Sequence, residues 1–327
     1  MSGAFVISLD FELMWGVRDK RNIEQYGENI IGARKAIPMI LELFKKYNIH
    51  CTWATVGLLF CEDNNELVDA LPEKKPSYNN PNLSPYTYLN EIIEDETNHS
   101  YYFAHSIINL IRKYEGQEIG SHTFSHYYCD EEGQTIMEFE ADMNSAISIA
   151  EKKGILLRSF IFPRNQVVSE YLIVLKKLGF KCYRGNPNSF LYNINIPEKL
   201  VNIVRGFRLI DSYLNLFGHQ AYTLDHSELT SYGLINIPAS TYLRPFNYKL
   251  RMFEKLKLKR IYNSMRYAAK NNKIYHLWWH PHNFGKNITQ NLAQLEMILK
   301  KYTELSKKYN FASMNLSEVA EEIEKAI

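Results

Sequence analysis

The chain has 327 residues, 46% of them hydrophobic and 23% charged, with a formal net charge of +2 at pH 7. That composition excludes a disordered chain, and the near balance of charge excludes bulk electrostatic capture of nucleic acid, so no nucleic-acid partner is expected. Cys51, Cys61, Cys129 and Cys182 form no C-x-x-C pair, MSGAFVISLDFE lacks the pattern of a secretory signal, and no long apolar run occurs, so a reduced, cytoplasmic protein is expected.

AFVISLD (4–10) is a short continuous apolar run, which predicts a strand buried on both faces. It ends on two acids, Asp10 and Glu12, where a turn residue is the usual stop. Ile30, Ala33, Ile37, Ile40, Leu41 and Phe44 recur at helical spacing over 29–47, with Pro38 as a candidate kink. IHCTWATVG (49–57) predicts a second strand, and strand, helix, strand implies a right-handed parallel crossover.

Residues 62–116 break this rhythm and predict an insertion, a loop followed by one helix of about 25 residues, within a single domain spanning 1–327. Alternation then resumes. Strands are predicted at 117–122, 158–163, 180–185, 234–240, 273–280 and 311–316, and helices at 132–153, 167–178, 249–272 and 289–309. Some eight strands alternating with helices favour an α/β fold, a (β/α) barrel that is distorted or incomplete, over an open sheet. No glycine-rich phosphate loop is present.

In a parallel barrel the site lies at the carboxyl ends of the strands. There the sequence places Asp10 and Glu12, then SHTFSH (121–126), FPRNQ (162–166) and WWHPHNFG (278–285). His122 and His126 stand at i, i+4, which on a helical turn faces both imidazoles one way. With a carboxylate from Glu12 or Asp10 they compose a facial site for a divalent metal. Trp15, Trp278 and Trp279 are candidate sugar-stacking rings, with core packing the alternative for Trp278 and Trp279, which point to opposite sides of their strand. KLRMFEKLKLKR (249–260) sets six basic residues against one acid. It reads either as a solvated helix face or as a patch that meets phosphate, on a nucleotide-sugar, a lipid carrier or an anionic membrane surface.

SLDFE, SHTFSH, FPRNQ and LWWHPH, in this order, resemble the motifs of the polysaccharide deacetylase superfamily (carbohydrate esterase family 4, NodB-like). The resemblance implies a distorted (β/α) barrel, a divalent metal and hydrolysis of an acyl group on a sugar. It implies Asp10 as general base and Glu12, His122 and His126 as metal ligands. Zinc is the first expectation, with cobalt, nickel or manganese as others. Arg164 is expected to orient Asp10, and His280 to be the general acid, with His282 as its alternate. The backbone N–H of Tyr127 is the expected oxyanion donor, and Arg184 lies near this level without an assigned role. The family's Asp-Trp pair near the acid histidine has no counterpart here. The expected partner is an acylated amino sugar, nucleotide-linked, lipid-linked or in an oligosaccharide, with peripheral membrane contact as a further expectation.

Overall fold

The structure is a computed structural model that describes residues 3–189, 200–223 and 232–325. In chain order it runs β1 (Ala4–Phe11), α1 (Ile23–Tyr47), β2 (Cys51–Thr55), α2 (Asn64–Asp69), α3 (Leu89–Glu94), α4 (His99–Tyr102), α5 (His105–Ile111) and β3 (Gln117–Ser121). There follow α6 (Ile136–Lys152), β4 (Ser159–Ile161), α7 (Ser169–Lys177), β5 (Cys182–Arg184), α8 (Val201–Asp211), β6 (Ile235–Asn236) and β7 (Thr241–Tyr242). The chain then forms α9 (Glu254–Lys270), β8 (Ile274–Trp279), α10 (Ile288–Tyr309), β9 (Ala312–Met314) and α11 (Leu316–Lys325).

All the paired strands are parallel, in the order β6-β5-β4-β3-β2-β1-β8-β7, with β9 beside the start of β1. This is the expected distorted (β/α) barrel. The two ends of the sheet, β6 and β7, are halves of one extended run interrupted at Pro238. Ile235, Ile237 and Ala239 donate their amides to β5 and the residue on either side of it, whereas Ser240 and Leu243 donate to β8. One polypeptide segment thus changes partner halfway and closes the ring.

Strand periodicity divides β1 cleanly. Phe5, Ile7, Leu9 and Phe11 face the helices, while Ala4 and Val6 join the apolar barrel interior with Ala54, Ile161, Cys182, Ile235, Ile237 and Ile274. Ser8 and Asp10 continue the inward row at the other end. α11 stops the interior from below with Leu316, Val319, Ala320 and Ile323. The apolar end of the barrel is therefore plugged, and its polar end is left for chemistry.

Three sequence expectations need correction, and one element, α8, was missed. The single long helix of the insertion is instead α3, α4 and α5, because Asp95 caps a tight turn through the amide of Thr97 and the side chain of Asn98. α1 runs unbroken through Pro38. α8 was not anticipated, since much of its apolar content is exposed and gave no core-facing stripe. The basic segment 249–260 is not a uniform solvated face: Lys257 and Arg260 are buried, paired with Glu254 and Asp211.

Candidate metal and catalytic site

Glu12 follows β1, His122 follows β3, and His126 comes from the loop beyond. Glu12 Oε2 lies 3.3 Å from His122 Nε2 and 3.0 Å from His126 Nε2, and all three side chains are buried. His122 Nδ1 donates to the carbonyl of Ile161 at 2.8 Å, so its Nε2 carries a lone pair. That nitrogen is buried without a hydrogen-bond partner. A lone pair held in this way beside a carboxylate and a second imidazole, with all three donor atoms within 4.8 Å of one another, fits a divalent cation.

Burial by itself raises the Glu12 pKa, but the neighbouring His280 and His126 hold it well below the usual range. Burial pushes His126 down to about 4, so it is neutral and able to ligate. Gly16 makes room for this carboxylate: a Cβ there would stand 2.0 Å from Glu12 Cδ and Oε1.

The two histidines do not share a helical turn. Thr123 and His126 adopt left-handed φ values of 63° and 55°, sparsely populated for such residues. Asp142 of α6, fully buried, secures this loop. It accepts from the amides of Phe124 (2.7 Å) and Ser125 (3.2 Å) and from the Ser125 hydroxyl. Sequence reading missed Asp142. Its signal was an acid on the apolar stripe made by Phe139, Met143 and Ala146.

Asp10 is held by Arg184, not by Arg164. Arg184 Nη1 and Nη2 donate to Asp10 Oδ1 and Oδ2 at 2.6 and 2.8 Å, and the same guanidinium reaches Ser8 Oγ (3.0 Å) and Asn165 Oδ1 (2.9 Å). Burial raises the Asp10 pKa, and Arg184 together with His122 and His280 more than offsets it, so the carboxylate is ionised. Arg164 pairs with Asp19 and Glu131 and lies over the Tyr128 ring at 3.7 Å. The reason is local. Arg164 and Asn165 both have φ of 55°, and this left-handed turn aims Asn165 at Arg184 and Arg164 at the rim.

A further layer lies beneath. Arg184 donates to Ser8 Oγ, so Ser8 gives its own proton to His276 Nε2 (2.8 Å), and His276 Nδ1 donates to the carbonyl of Pro238 (3.2 Å). This fixes His276 as a neutral tautomer, and burial lowers its pKa to about 3.

His280 Nε2 stands 3.7 Å from Asp10 Oδ2 and 3.7 Å from Glu12 Oε1. Asn283 Nδ2 lies 3.2 Å from His280 Nδ1, and Asn283 Oδ1 accepts from Tyr26. With that amide donating to Nδ1, the neutral ring carries its proton on Nε2, facing the two acids. His282 stacks on His280 with centroids 4.9 Å apart and is buried, with its pKa pushed down to about 3 by that burial. His280 is the better exposed of the two, at 24% of its side chain.

Trp15 is packed in the core, its indole N–H on the carbonyl of Tyr102 (2.8 Å), and does not offer a ring face to a ligand. Tyr127 is buried, and its amide is spent on Thr123 Oγ1 at 2.7 Å, so it is not a free oxyanion donor here. Trp278 is the indole near the site, with Arg184 at 4.2 Å from its ring, while Trp279 is buried against Phe284. Cys129 is a buried thiol outside the metal cluster. The segment 62–116 comes beside the site: Arg18 bonds the carbonyls of Trp15 and Leu83, and Tyr78 accepts from the amide of Tyr128.

No protein-family model matches the sequence, and no curated protein does. Solved structures do match in fold. A protein assigned as a polysaccharide deacetylase from Mycobacterium smegmatis aligns with TM-score 0.61 at 12% identity, over 100% of this chain and 92% of that one. A second such protein, from Pseudomonas aeruginosa PAO1, aligns with TM-score 0.53 at 12% identity over 97% and 89%. The allantoinase Puue aligns with TM-score 0.51 at 14% identity over 97% and 89%. The chain thus has the NodB-like fold shared by polysaccharide deacetylases.

Proposed function

We propose that this protein is a metal-dependent hydrolase that removes an N-acyl group, acetyl or formyl, from an amino sugar. The observation that carries this reading is the convergence of Glu12, His122 and His126 beside the Asp10–Arg184 pair and His280. A cytoplasmic precursor of a cell-surface polysaccharide is the substrate we favour.

Glu12, His122 and His126 would hold a divalent ion, which would supply Lewis acidity for activating water and polarising the acyl oxygen. Zinc suits this donor set best, and cobalt, nickel or manganese can replace it. Asp10, ionised and oriented by Arg184, takes the proton of the attacking water. Protonated His280 presents Nε2–H on the same face, gives that proton to the leaving amine and returns to the neutral imidazole. His282 stays neutral and supports the His280 ring by stacking. Arg164 acts at the rim by holding Asp19.

Elemental mass spectrometry on untagged protein, beside His126→Ala, tests the site. About one ion per chain, lost in the variant, supports the reading; no ion in either, even after soaking in zinc, cobalt and nickel, removes it and leaves a non-catalytic glycan-binding barrel. A panel assay for acetate or formate release then tests the substrate. Release from a non-sugar amide alone would favour an amidase, a reading kept open by the fold shared with an allantoinase.

Peripheral membrane contact has its own support. Ile203, Phe207 and Ile210 of α8 are exposed, as are Met252 and Phe253, with Lys249, Arg251 and Lys255 nearby in sequence. Salt-sensitive sedimentation with phosphatidylglycerol vesicles is the expected result, and no sedimentation would exclude this contact. No helix among the described residues is long and apolar enough to cross a membrane.

A further inference from the structure

Beside His280 lies a cleft of about 230 Å³ whose lining includes Trp278 and Asn165 but none of the three metal-site residues. Arg208 of α8, Arg244 just past β7 and Arg260 of α9 all line it, against one acid, Asp211. That acid is already committed. It accepts from Arg260 Nη2 at 3.3 Å and from the amides of Leu216 and Phe217 at 3.0 and 3.1 Å. Arg244 is partly buried and has no carboxylate partner among the described residues; its guanidinium carbon lies 5.9 Å from the centroid of the Tyr242 ring. Thr241 makes the same point independently. It lines the cleft, only 9% exposed, and its Oγ1 is buried without a hydrogen-bond partner.

A half-desolvated guanidinium and an orphaned hydroxyl on one wall both cost stability unless a ligand satisfies them. A guanidinium suits a phosphoryl group, whose oxygens accept its planar fork of donors; that of Arg260 is already engaged by Asp211, Gly218 and Ser264, which leaves Arg244 to meet such a group. The position also matters. His280 protonates the leaving amine, so the sugar leaves on this side, over the Trp278 ring, and the acyl group lies toward Glu12. Whatever reaches Arg244 and Thr241 is therefore carried by the sugar. We infer that the cleft lined by Arg244, Arg208 and Thr241 is a phosphoryl subsite, and that the substrate is a phosphorylated N-acyl amino sugar. This rests on the hydrolase reading for which end of the substrate lies where, and not for the existence of the subsite.

Calorimetric titration of the full chain separates the two. N-acetylglucosamine 1-phosphate and 6-phosphate are compared with N-acetylglucosamine, for the unmodified protein, Arg244→Gln, Arg244→Lys and Thr241→Val. At least one phosphate is expected to bind about tenfold tighter than the neutral sugar. That gain should shrink to about twofold or less in Arg244→Gln and be partly kept in Arg244→Lys. No gain in the unmodified protein, or a gain untouched by Arg244→Gln, overturns the subsite. The source of the phosphoryl group is read from two linked probes, a uridine-diphosphate-linked and a short polyprenyl-diphosphate-linked N-acetylglucosamine. The gain retained with either supports the subsite and names the carrier; a gain seen with a monophosphate but lost with both supports the subsite and assigns it to a free phosphate ester. Phosphate-dependent binding without acyl release from any probe keeps the subsite and removes the hydrolase. Acyl release with equal affinity for neutral sugar does the reverse.

Discussion

Gly16 holds open the space that the Glu12 carboxylate fills, so a single methyl group there should act on metal binding and little else. Gly16→Ala is expected to reduce bound metal from about one equivalent toward none, with an unchanged far-UV circular dichroism spectrum, as read by elemental analysis. The two arginines make a sharper pair. Arg184→Lys loses the bidentate grip on Asp10, so kcat should fall by about 10²-fold or more. Because Arg184 lowers the Asp10 pKa, its loss raises that pKa and moves the acid limb of kcat/KM to higher pH. Arg164→Lys should leave both near their original values, since Arg164 holds Asp19 instead. Asp10, Glu12, His122, His126 and His280 were legible as site candidates because residue type and strand-end position suffice to collect them. The choice of arginine was not. It depends on left-handed backbone at Arg164 and Asn165, which no glycine announces.

At the scale of elements, the loop after β3 is shaped from outside itself. Asp142 on α6 supplies the acceptors for Phe124 and Ser125, so Asp142→Ala should lower metal affinity by about 10–100-fold while the helix content stays the same, as measured by competition with a chelating dye. The ladder joining β1, β5 and β8 carries a pH dependence. Burial lowers the His276 pKa from 6.5 to about 3 in the folded protein. Its neutral form is thus favoured by folding, and its contribution is complete above about 6.5 and is lost as pH falls toward 3. Thermal melts from pH 7.5 to 5 should decline less steeply for His276→Gln, whose amide can still bond Ser8 and Pro238 without titrating. Element types were mostly readable, since strand and helix periodicities differ strongly for β1, α1, β8 and α10. The predicted strand at 234–240 was less so. Its pairing switches from β5 to β8 around Pro238, a tertiary event that local pattern does not encode.

For the whole molecule, the barrel explains why an apolar strand runs into carboxylates: β1 lines an apolar interior at one end and a polar site at the other. The segment 62–116, expected from the sequence to be an insertion, packs beside the site: Tyr78, Leu83 and Tyr102 accept from Tyr128, Arg18 and Trp15. Its replacement by a short linker is therefore expected to lower metal occupancy as well as stability, by elemental analysis and chemical denaturation. The place of β1 bears on how the protein is made. β1 pairs with β8 at Ala4–Leu9 and with β9 at Ala4–Val6, partners roughly 270 and 308 positions later. Contacts of such long range close slowly. A ribosome reaches Met314 long after it has released Ala4, and α11 stoppers the interior later still. The emerging chain must keep AFVISL soluble through that interval, so stalled chains ending before residue 274 should remain open to protease and depend on a holdase chaperone, whereas release of residues 312–325 should confer resistance in one step.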